Sequence, residues 1–434
     1  MKKVIIFYIL TINSICSFGQ KWVSTNYDAH HLDYRDLGYP GVNEIEADNS
    51  RISALITGEN GYIYGATSGK QSHLFLYDRY INKVRLLGKI SDAKGVYHTL
   101  AQDDNQSIYI GTGLNLLDEI PLTKDFPGGH RQIEQQLWKD IKSYHANFEG
   151  GHIYKYNPAK HDETVYLQED DAALEDIGIV IPENSVYAMT IDQQRHKIYG
   201  ITYPDAHFFS VDLATKKISN HGELLDTIVY AGPEHTWRSI PRSLVCLSNG
   251  HVVISGNDGL IEVFNPQDGK FTKTKLRIPG EYWESWNYTG YPVIEQFVYV
   301  SDSLIYGSTN DGFLFRLNMI DLEMIDLGKA RLSRRVRGMV LGNDDQIYMI
   351  CGELGEPCKL FSYNTKANQG YVNRGYISVD RSPYYQKRAY QFDAMTVGID
   401  GAIFIGESDR RGKLFIYTPG ASTYDGGLNP KNPR

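Results

Sequence analysis

Seven equivalent positions in a repeated sequence pattern carry side chains suited to acid–base and anion-binding chemistry. In chain order they are Ser53, His98, Tyr187, Arg242, a residue near Glu295, Arg337 and Asp393. A short polar residue is the ordinary occupant of a turn that leads into a strand, whereas this set contains an imidazole, a phenol and two guanidinium groups. Imidazole exchanges protons near neutral pH, and guanidinium binds carboxylates through paired hydrogen bonds. The set predicts a site that holds an anion and moves a proton beside it.

A second set of equivalent positions opens another apolar stretch in each repeat. Its members are His73, His152, His207, Leu260, Phe313, Lys359 and Lys413. Three histidines and two lysines are more polar than strand packing requires, since histidine and lysine are not typical core residues. We therefore expect this second ring of residues to contribute to the same site.

The chemistry that these residues favour is β-elimination next to a carboxylate. The sequence has no serine nucleophile elbow, H-E-x-x-H motif, phosphate loop or dinucleotide fingerprint. Glycoside hydrolases normally use two carboxylates, and the rings supply only Asp393 and the residue near Glu295. An arginine that neutralises a uronate makes the C5 proton more acidic, and a histidine or tyrosine can remove it. A uronate lyase is therefore the predicted enzyme class.

The elements that must position these side chains are short β-strands repeated seven times. Each copy contains an apolar stretch, a polar turn, an Ile-Tyr-Gly-like strand and an aromatic strand that ends in Asp or Asn, as in 53–57, 61–65 and 73–78. A fourth strand fits the connecting stretch, for example 84–88. Four strands in seven copies, about 45 to 55 residues apart, predict an all-β, seven-bladed β-propeller that forms one domain over 20–434. The first strand of each blade lines the central channel, so the first ring should surround its mouth.

One long insertion interrupts the second blade, from about residue 114 to 151. Within it, Ile133, Leu137, Trp138 and Ile141 recur at helical spacing. The pattern predicts an amphipathic helix over 132–144 that packs on the propeller. Insertions of this kind commonly form part of a binding site.

Residues 1–19 have the features of an export signal. Two lysines precede an apolar run, and small residues stand at 17–19. Loss of Lys2 and Lys3 would take the net charge from −8 to −10, and an acidic chain without a basic run is a poor nucleic-acid binder. The three remaining cysteines cannot all pair, although Cys351 and Cys358 could close one loop. We predict a secreted or periplasmic monomer without a membrane span.

Two short segments resemble the histidine-bearing strands of seven-bladed propeller polysaccharide lyases. They are Gly69-Lys-Gln-Ser-His-Leu-Phe-Leu-Tyr-Asp78 and Gly95-Val-Tyr-His-Thr-Leu100. These lyases include ulvan lyases and the rhamnosyl-glucuronate lyases that act on arabinogalactan caps, and residues 27–35 resemble secreted gut-bacterial members of the latter group. The resemblance implies cleavage of L-rhamnose-α-1,4-D-glucuronate linkages in a uronate-containing polysaccharide or oligosaccharide.

The resemblance also assigns candidate roles to individual residues. His73 and His98 match the histidines that act as base and acid, although His73 could instead orient its partner, and Tyr187 matches a position that holds a catalytic tyrosine in some relatives. The predicted substrate-binding residues are Arg242, Arg337, Tyr203, His207 and Arg238. Arg334 and Arg335 are interpreted as solvated surface, and a loop with Trp283, Trp286 and Tyr288 is a candidate sugar platform.

Two alternatives to a lyase remain open from the sequence. A sister group of the same fold resembles this chain too and is described as α-L-rhamnosidase, which would act on the same cap. A non-catalytic, glycan-binding propeller would explain the fold and the 32 tyrosines, but not the converging arginines and histidines. No cofactor is required for β-elimination, although some relatives hold a calcium ion near the channel.

Overall fold

The computed structural model describes residues 32–36, 45–116, 139–160, 173–229, 236–280, 292–331, 335–352, 358–366, 370–382, 385–388, 391–408 and 412–419. Most of them belong to seven four-stranded antiparallel sheets, which follow one another along the chain. The predicted all-β, seven-bladed propeller with a helical insertion in its second blade is confirmed. The predicted signal segment 1–19 lies outside the described residues.

The strands of the first four blades follow the repeat. The chain forms β1 (Leu32–Asp36) before blade 1, which comprises β2 (Arg51–Thr57), β3 (Ile63–Ser68), β4 (His73–Asp78) and β5 (Lys83–Lys89). Blade 2 comprises β6 (Leu100–Gln102), β7 (Ile108–Gly111), β8 (His152–Tyr156) and β9 (Leu174–Ile179). Blade 3 comprises β10 (Ser185–Asp192), β11 (Lys197–Tyr203), β12 (His207–Asp212) and β13 (Lys217–Glu223). A small hairpin, β14 (Ile228–Val229) and β15 (Thr236–Trp237), precedes blade 4, which comprises β16 (Val245–Cys246), β17 (Val252–Ser255), β18 (Leu260–Asn265) and β19 (Lys270–Arg277).

The last three blades have the same order. Blade 5 comprises β20 (Ile294–Ser301), β21 (Leu304–Thr309), β22 (Phe313–Asn318) and β23 (Glu323–Lys329). Blade 6 comprises β24 (Val336–Leu341), β25 (Gln346–Cys351), β26 (Lys359–Asn364) and β27 (Tyr371–Tyr376), and a hairpin of β28 (Ser378–Ser382) and β29 (Tyr385–Arg388) follows. Blade 7 comprises β30 (Phe392–Val397), β31 (Ile403–Glu407) and β32 (Lys413–Tyr417), and β1 is its fourth strand. Short 3-10 turns occur at Ala47–Asn49, Pro158–Lys160 and Asn257–Gly259.

The ring of blades is closed by strands from distant parts of the sequence. The early strand β1 pairs antiparallel with β32, with Tyr34 opposite Phe415. Blade 7 therefore takes three strands from the end of the described chain and one from its start. This pairing joins the segment before blade 1 to blade 7 and so closes the ring.

The Ile-Tyr-Gly element of the repeat has a packing explanation. Gly65 lies opposite Phe75 in the ladder, and Gly307 lies opposite Phe315. A Cβ atom added to either glycine would lie 2.3 or 2.1 Å from the facing phenylalanine ring. The missing side chain is therefore the space into which the aromatic ring of the next strand folds.

The hydrophobic core consists of layers between consecutive blades. One cluster joins Leu76 of blade 1 to Ile110 of blade 2, and another joins Ile52 of blade 1 to Phe404 of blade 7. The middle strands are buried on both faces, as β3 is throughout, whereas the outer strand β19 alternates between exposed and half-buried side chains. The fold is thus stabilised by blade-to-blade packing, which sets the innermost strands around one axis.

The insertion of blade 2 contributes a helix next to blade 3. The described part of this helix spans 139–145 and overlaps the end of the predicted helix, 132–144. Residues 132–138 lie outside the described part of the chain. Ile141 and His145 are 5% and 1% exposed, so the helix buries one face as the pattern predicts. No helix among the described residues is long and apolar enough to cross a membrane.

Candidate functional site

The first predicted ring surrounds the channel, and β-bulges present most of its members. In five blades the register of the innermost strand shifts at the ring position, which leaves one residue outside the ladder: Ser53, Tyr187, Glu295, Arg337 and Asp393. A bulge turns its extra residue away from the regular alternation of side chains. His98 and Arg242 occupy the same place just before the short strands β6 and β16. The repeat therefore directs one residue per blade toward the axis.

A cavity of about 130 Å³ lies on this axis. All seven blades contribute to its wall, which includes His98, Arg242 and Asp393 together with Tyr97 and the inner-strand residues Ala54, Leu55, Leu100, Met189, Ser243, Gln296, Gly338, Met339, Ala394 and Met395. The wall thus combines charged and polar side chains of the ring with aliphatic side chains of the innermost strands.

Arg242 joins three blades at the mouth. Its Nη1 lies 3.0 Å from Glu295 Oε2 in blade 5, and its Nη2 lies 2.8 Å from Asp393 Oδ1 in blade 7. The side chains of the three residues are 8%, 2% and 1% exposed. The guanidinium is consequently occupied by protein carboxylates on both of its terminal nitrogens.

Two further arginines extend this network. Arg337 Nη1 lies 3.6 Å from Asp393 Oδ1, and the Arg337 side chain is 4% exposed. Arg335 Nε lies 3.3 Å from Glu295 Oε1, but its side chain is 40% exposed. The hydroxyl of Ser408 donates to Asp393 Oδ2 at 2.5 Å. Two buried carboxylates are thus held among three guanidinium groups, two buried and one at the surface.

Burial and ion pairing shift the pKa values of the groups in this network in opposite directions. Burial alone would raise the pKa of Asp393, but Arg242 and Arg337 outweigh it and hold that pKa well below its usual range. Burial is likewise outweighed at Glu295, whose pKa is lowered by Arg242 and Arg335. The pKa of Arg242 is raised, because the two carboxylates more than offset its burial. All of these groups stay ionised near neutral pH.

The network changes the interpretation of the arginines. The sequence predicts that Arg242 and Arg337 clamp a substrate, yet the structure buries both and pairs them with Asp393. The sequence also predicts that Arg335 is solvated surface, whereas this residue contacts the buried Glu295. The pattern missed Arg335 because it lies one residue before β24 and two before the aligned ring position. Its place in the loop that enters an innermost strand is the signal that could have found it.

His98 is a neutral imidazole beside this charged network. Burial and then the positive charge of Arg242 lower its pKa to about 3, although Asp393 and Glu295 act in the opposite direction. Its Nε2 atom is buried and has no hydrogen-bond partner within the described part of the chain. The ring is therefore unprotonated and keeps one nitrogen uncommitted at the channel.

Aromatic side chains form the other side of the mouth. The ring centroids of Tyr97 and Tyr187 lie 6.2 Å apart, those of Tyr187 and Tyr203 5.4 Å apart, and those of Tyr203 and His145 5.7 Å apart. His145 comes from the insertion helix, and its two ring nitrogens lie 2.8 Å from Ile141 O and 3.2 Å from Ser185 Oγ. Burial raises the pKa of Tyr187 despite the opposing effect of Arg242. The insertion thus supports a row of neutral rings.

The structure does not bring His73 to His98. His73 opens β4, the third strand of blade 1, and its backbone N–H donates to Thr67 Oγ1 at 3.0 Å. Burial and then Lys89 lower its pKa to about 4, whereas Arg242, Asp393 and Glu295 influence His98. A third strand stands about 10 Å from the innermost one, at two strand spacings. Because of this distance the second ring lies farther out on the blades, although its seven predicted strand starts are all confirmed.

Of the other predicted substrate-binding residues, Arg238 binds groups of the protein itself and His207 lies in the outer ring. Arg238 is 8% exposed, and its guanidinium reaches Asp205 Oδ1 at 3.1 Å, Glu223 Oε2 at 2.5 Å and Leu225 O at 3.1 Å. All three guanidinium nitrogens of Arg238 therefore bind groups of the protein. His207 opens β12, and its backbone N–H donates to Thr202 Oγ1 at 3.1 Å. Like His73, it belongs to the outer ring.

The remaining sequence expectations concern metals, cysteines and aromatic loops. No cluster of three or more metal-ligating side chains occurs among the residues that the structure describes, so calcium binding stays a prediction. Cys246, Cys351 and Cys358 are free thiols, so the loop that Cys351 and Cys358 could have closed is not bridged. The loop with Trp283, Trp286 and Tyr288 lies outside the described residues.

Comparison with known proteins identifies the fold only. No protein-family model and no curated protein sequence matches the chain. Among solved structures, the extracellular domain of a one-component system from B. thetaiotaomicron matches with a TM-score of 0.52 and 14% identity over 89% of this chain, which spans 40% of that domain. An inactive variant of virginiamycin B lyase from Staphylococcus aureus, solved with quinupristin, matches with a TM-score of 0.54 and 10% identity over 89% of this chain and 98% of its own. The WD40 propeller of Doa1 matches with a TM-score of 0.50 and 9% identity over 90% and 99% of the two chains. These likenesses establish the propeller fold and carry no activity over to this chain.

Proposed function

We propose that the protein is an exported polysaccharide lyase that cleaves the glycosidic bond to a uronic acid by β-elimination, with L-rhamnose-α-1,4-D-glucuronate linkages as the preferred target. The observation that carries the proposal is the pairing of a neutral imidazole, His98, with a buried arginine–carboxylate network at one channel mouth. The linkage itself is taken from the short sequence resemblance to propeller lyases.

In this reaction His98 acts as the base. It removes the C5 proton of the uronate, the C4–O4 bond breaks as the C4–C5 double bond forms, and the leaving O4 takes a proton from the imidazolium or from Tyr187. The pKa of His98 near 3 makes it a weak base in the empty site. A bound carboxylate and the negative charge that develops on the uronate oppose the effect of Arg242 and raise that pKa toward the working range.

The arginines supply electrostatic stabilisation of the same step. The charge that leaves C5 spreads onto the uronate carboxylate, so fixed positive groups near that carboxylate stabilise the transition state more than the ground state. Arg242 and Arg337 are locked by Asp393 and need no reorganisation during the reaction. Preorganisation of this kind is the usual source of large electrostatic effects in enzymes.

Hydrolysis, as in the rhamnosidase alternative, receives less support from the same groups. An acid–base pair of carboxylates needs one member that holds a proton near neutral pH. Arginines keep the pKa values of both Asp393 and Glu295 low, so neither carboxylate is suited to donate a proton. Binding without catalysis does not explain why His98 is kept neutral with a free nitrogen at the channel.

Ultraviolet absorbance during incubation with glucuronate-containing glycans tests the proposal, because lysis creates a conjugated 4,5-double bond. We expect the wild type to produce this signal and His98→Ala to lose at least about a hundredfold in rate, as is typical for an acid–base group. His251→Ala, on the turn before β17, is the matched histidine control and should keep the wild-type rate. Release of rhamnose without the absorbance would establish hydrolysis instead, and ligand binding without any product would establish a glycan-binding propeller.

A further inference from the structure

Arg335 is anchored to the protein through only one of its three guanidinium nitrogens. Nε lies 3.3 Å from Glu295 Oε1, and Glu295 is itself fixed by Arg242 at 3.0 Å. No other hydrogen bond or ion pair involves the Arg335 side chain within the described residues. Its two terminal nitrogens are therefore available to a ligand.

Exposure separates Arg335 from the other two arginines. Its side chain is 40% exposed, compared with 8% for Arg242 and 4% for Arg337. A guanidinium held at Nε presents its terminal edge as a preset fork, which matches the two oxygens of a carboxylate. Because the buried Glu295 already orients the Arg335 side chain, less conformational entropy is lost when a ligand binds.

The backbone at Arg335 is held in an unfavourable conformation that aims this side chain. Its φ is +67°, in the left-handed region that non-glycine residues seldom adopt. The N–H donates to Asn310 O in the loop of blade 5 at 2.9 Å, and the carbonyl accepts from Gly352 N–H of blade 6 at 3.4 Å. Such conformations persist where surrounding contacts impose them, and they concentrate at functional sites.

We propose that Arg335 is the residue that binds the anionic group of the ligand, a single sugar carboxylate, and that Glu295 and Arg242 are positioning residues behind it. The anion then lies between blades 5 and 6, where Glu295 and the backbone of Asn310 and Gly352 hold Arg335. The identity of the anion as a uronate rests on the proposed function. The location of the anion site does not depend on turnover.

Equilibrium binding of sodium D-glucuronate, measured by titration calorimetry, tests the site without requiring cleavage. Arg335→Gln should weaken binding by about 10-fold to 150-fold, the range for a hydrogen bond to a charged group. Arg335→Lys keeps the positive charge but loses the paired donors, so its affinity for glucuronate should lie between those of the wild type and Arg335→Gln. Arg316→Gln is the matched control, because Arg316 is an exposed arginine on β22, away from the mouth. Glucose, which has no carboxylate, should not distinguish wild type from Arg335→Gln.

The outcomes separate this proposal from the proposed function. Loss of glucuronate binding in Arg335→Gln, with the Arg316 variant unaffected, supports the site even if no glycan is cleaved, in which case the lyase assignment alone fails. Cleavage by the wild type with an unchanged KM and unchanged glucuronate affinity in Arg335→Gln overturns the site while the lyase stands. Failure of the wild type to bind glucuronate at all contradicts both.

Discussion

The channel mouth has two halves of different chemistry. Blades 4 to 7 supply a charged half, in which Arg242, Arg337, Glu295 and Asp393 pair with one another and Arg335 extends to the surface. Blades 2 and 3 supply a neutral half that consists of Tyr97, His98, Tyr187, Tyr203 and His145 of the insertion helix. One half is fixed by ion pairs, and the other by ring packing.

This difference suggests how a disaccharide unit would lie in the proposed lyase. Paired charges define one orientation for a carboxylate, whereas aromatic rings accept the less polar face of a neutral sugar. We expect the uronate to bind over blades 5 and 6 and its neutral neighbour to contact the tyrosines. His98 belongs to the neutral half but also responds to the charged one, because Arg242, Asp393 and Glu295 all influence its pKa.

The charged half should be the more costly to disrupt. Asp393→Asn keeps the shape of the side chain but leaves Arg242 and Arg337 with one carboxylate fewer in a buried site. Removal of one partner from a buried ion pair typically costs about 3 to 5 kcal/mol of unfolding free energy. Urea unfolding at pH 7 measures this loss.

A surface ion pair provides the control for this measurement. Asp345 pairs with Lys366, and their side chains are 51% and 75% exposed. Asp345→Asn should therefore cost no more than about 1 kcal/mol. Equal losses in Asp345→Asn and Asp393→Asn would mean that the buried network contributes no more than a surface pair and that the two halves do not differ in this way.

The fold was accessible from the sequence because every blade repeats the same local pattern. The starts of all seven third strands, from His73 to Lys413, agree with the structure, since an aromatic strand after a turn is a local signal. The pairing of β1 with β32 was not predicted, because it joins residues almost 400 positions apart and leaves no periodic trace in either segment. The ring at the mouth was located for a similar local reason, because its members stand at or just before the innermost strand of each repeat.

The contacts within the ring could not be read from the repeat. Alignment of the repeats assigns each residue to a blade and to a position along the channel axis. It does not identify the residue that each of them contacts across the channel. Arg242 pairs with Asp393, which is 151 positions away, and this contact changes Arg242 from an available clamp into a locked group. The same alignment placed His73 beside His98, because it counts blades and takes no account of the distance from the axis.

A change in pH should distinguish the halves as well, because the histidines of one half and the carboxylates of the other all have lowered pKa values but take up protons in different pH ranges when the chain unfolds. His98 has a pKa near 3 in the folded protein against an ordinary value of 6.5, and burial also lowers the pKa of His145. The unfolded chain therefore takes up protons below pH 6.5 that the folded chain does not, and stability falls as the pH drops from 6.5 toward 3. Because the pKa values of Asp393 and Glu295 are lowered, these carboxylates contribute fully to stability above about pH 4 and lose that contribution only at lower pH.

Between pH 7 and pH 5 the histidines with lowered pKa values should thus account for the loss of stability. They are His98 and His145 in the neutral half and His73 and His221 outside it. One histidine with the shift of His98 contributes about 2 kcal/mol over this interval. Urea unfolding of His98→Gln at the two pH values should show a decrease smaller than that of the wild type by about this amount. The unfolding free energy of Asp393→Asn should be lower than that of the wild type at pH 7 but should decrease by the same amount between pH 7 and pH 5. A His98→Gln decrease as large as that of the wild type would contradict a neutral His98.

The smallest expected effect concerns Tyr203, at the outer part of the neutral half. Its ring lies 5.4 Å from that of Tyr187 and 5.7 Å from that of His145, so the insertion helix supports it from behind. If the neutral sugar contacts this ring, Tyr203→Ala should raise KM for a rhamnose–glucuronate disaccharide by about threefold to tenfold, the magnitude of one aromatic contact. Glucuronate alone should bind Tyr203→Ala as it binds the wild type, because its carboxylate interacts with the charged half. Tyr203→Phe keeps the ring and should retain the wild-type KM. Weaker binding of both ligands by Tyr203→Ala would mean that the two halves act on the same sugar, whereas a KM equal to that of the wild type would place the neutral sugar elsewhere.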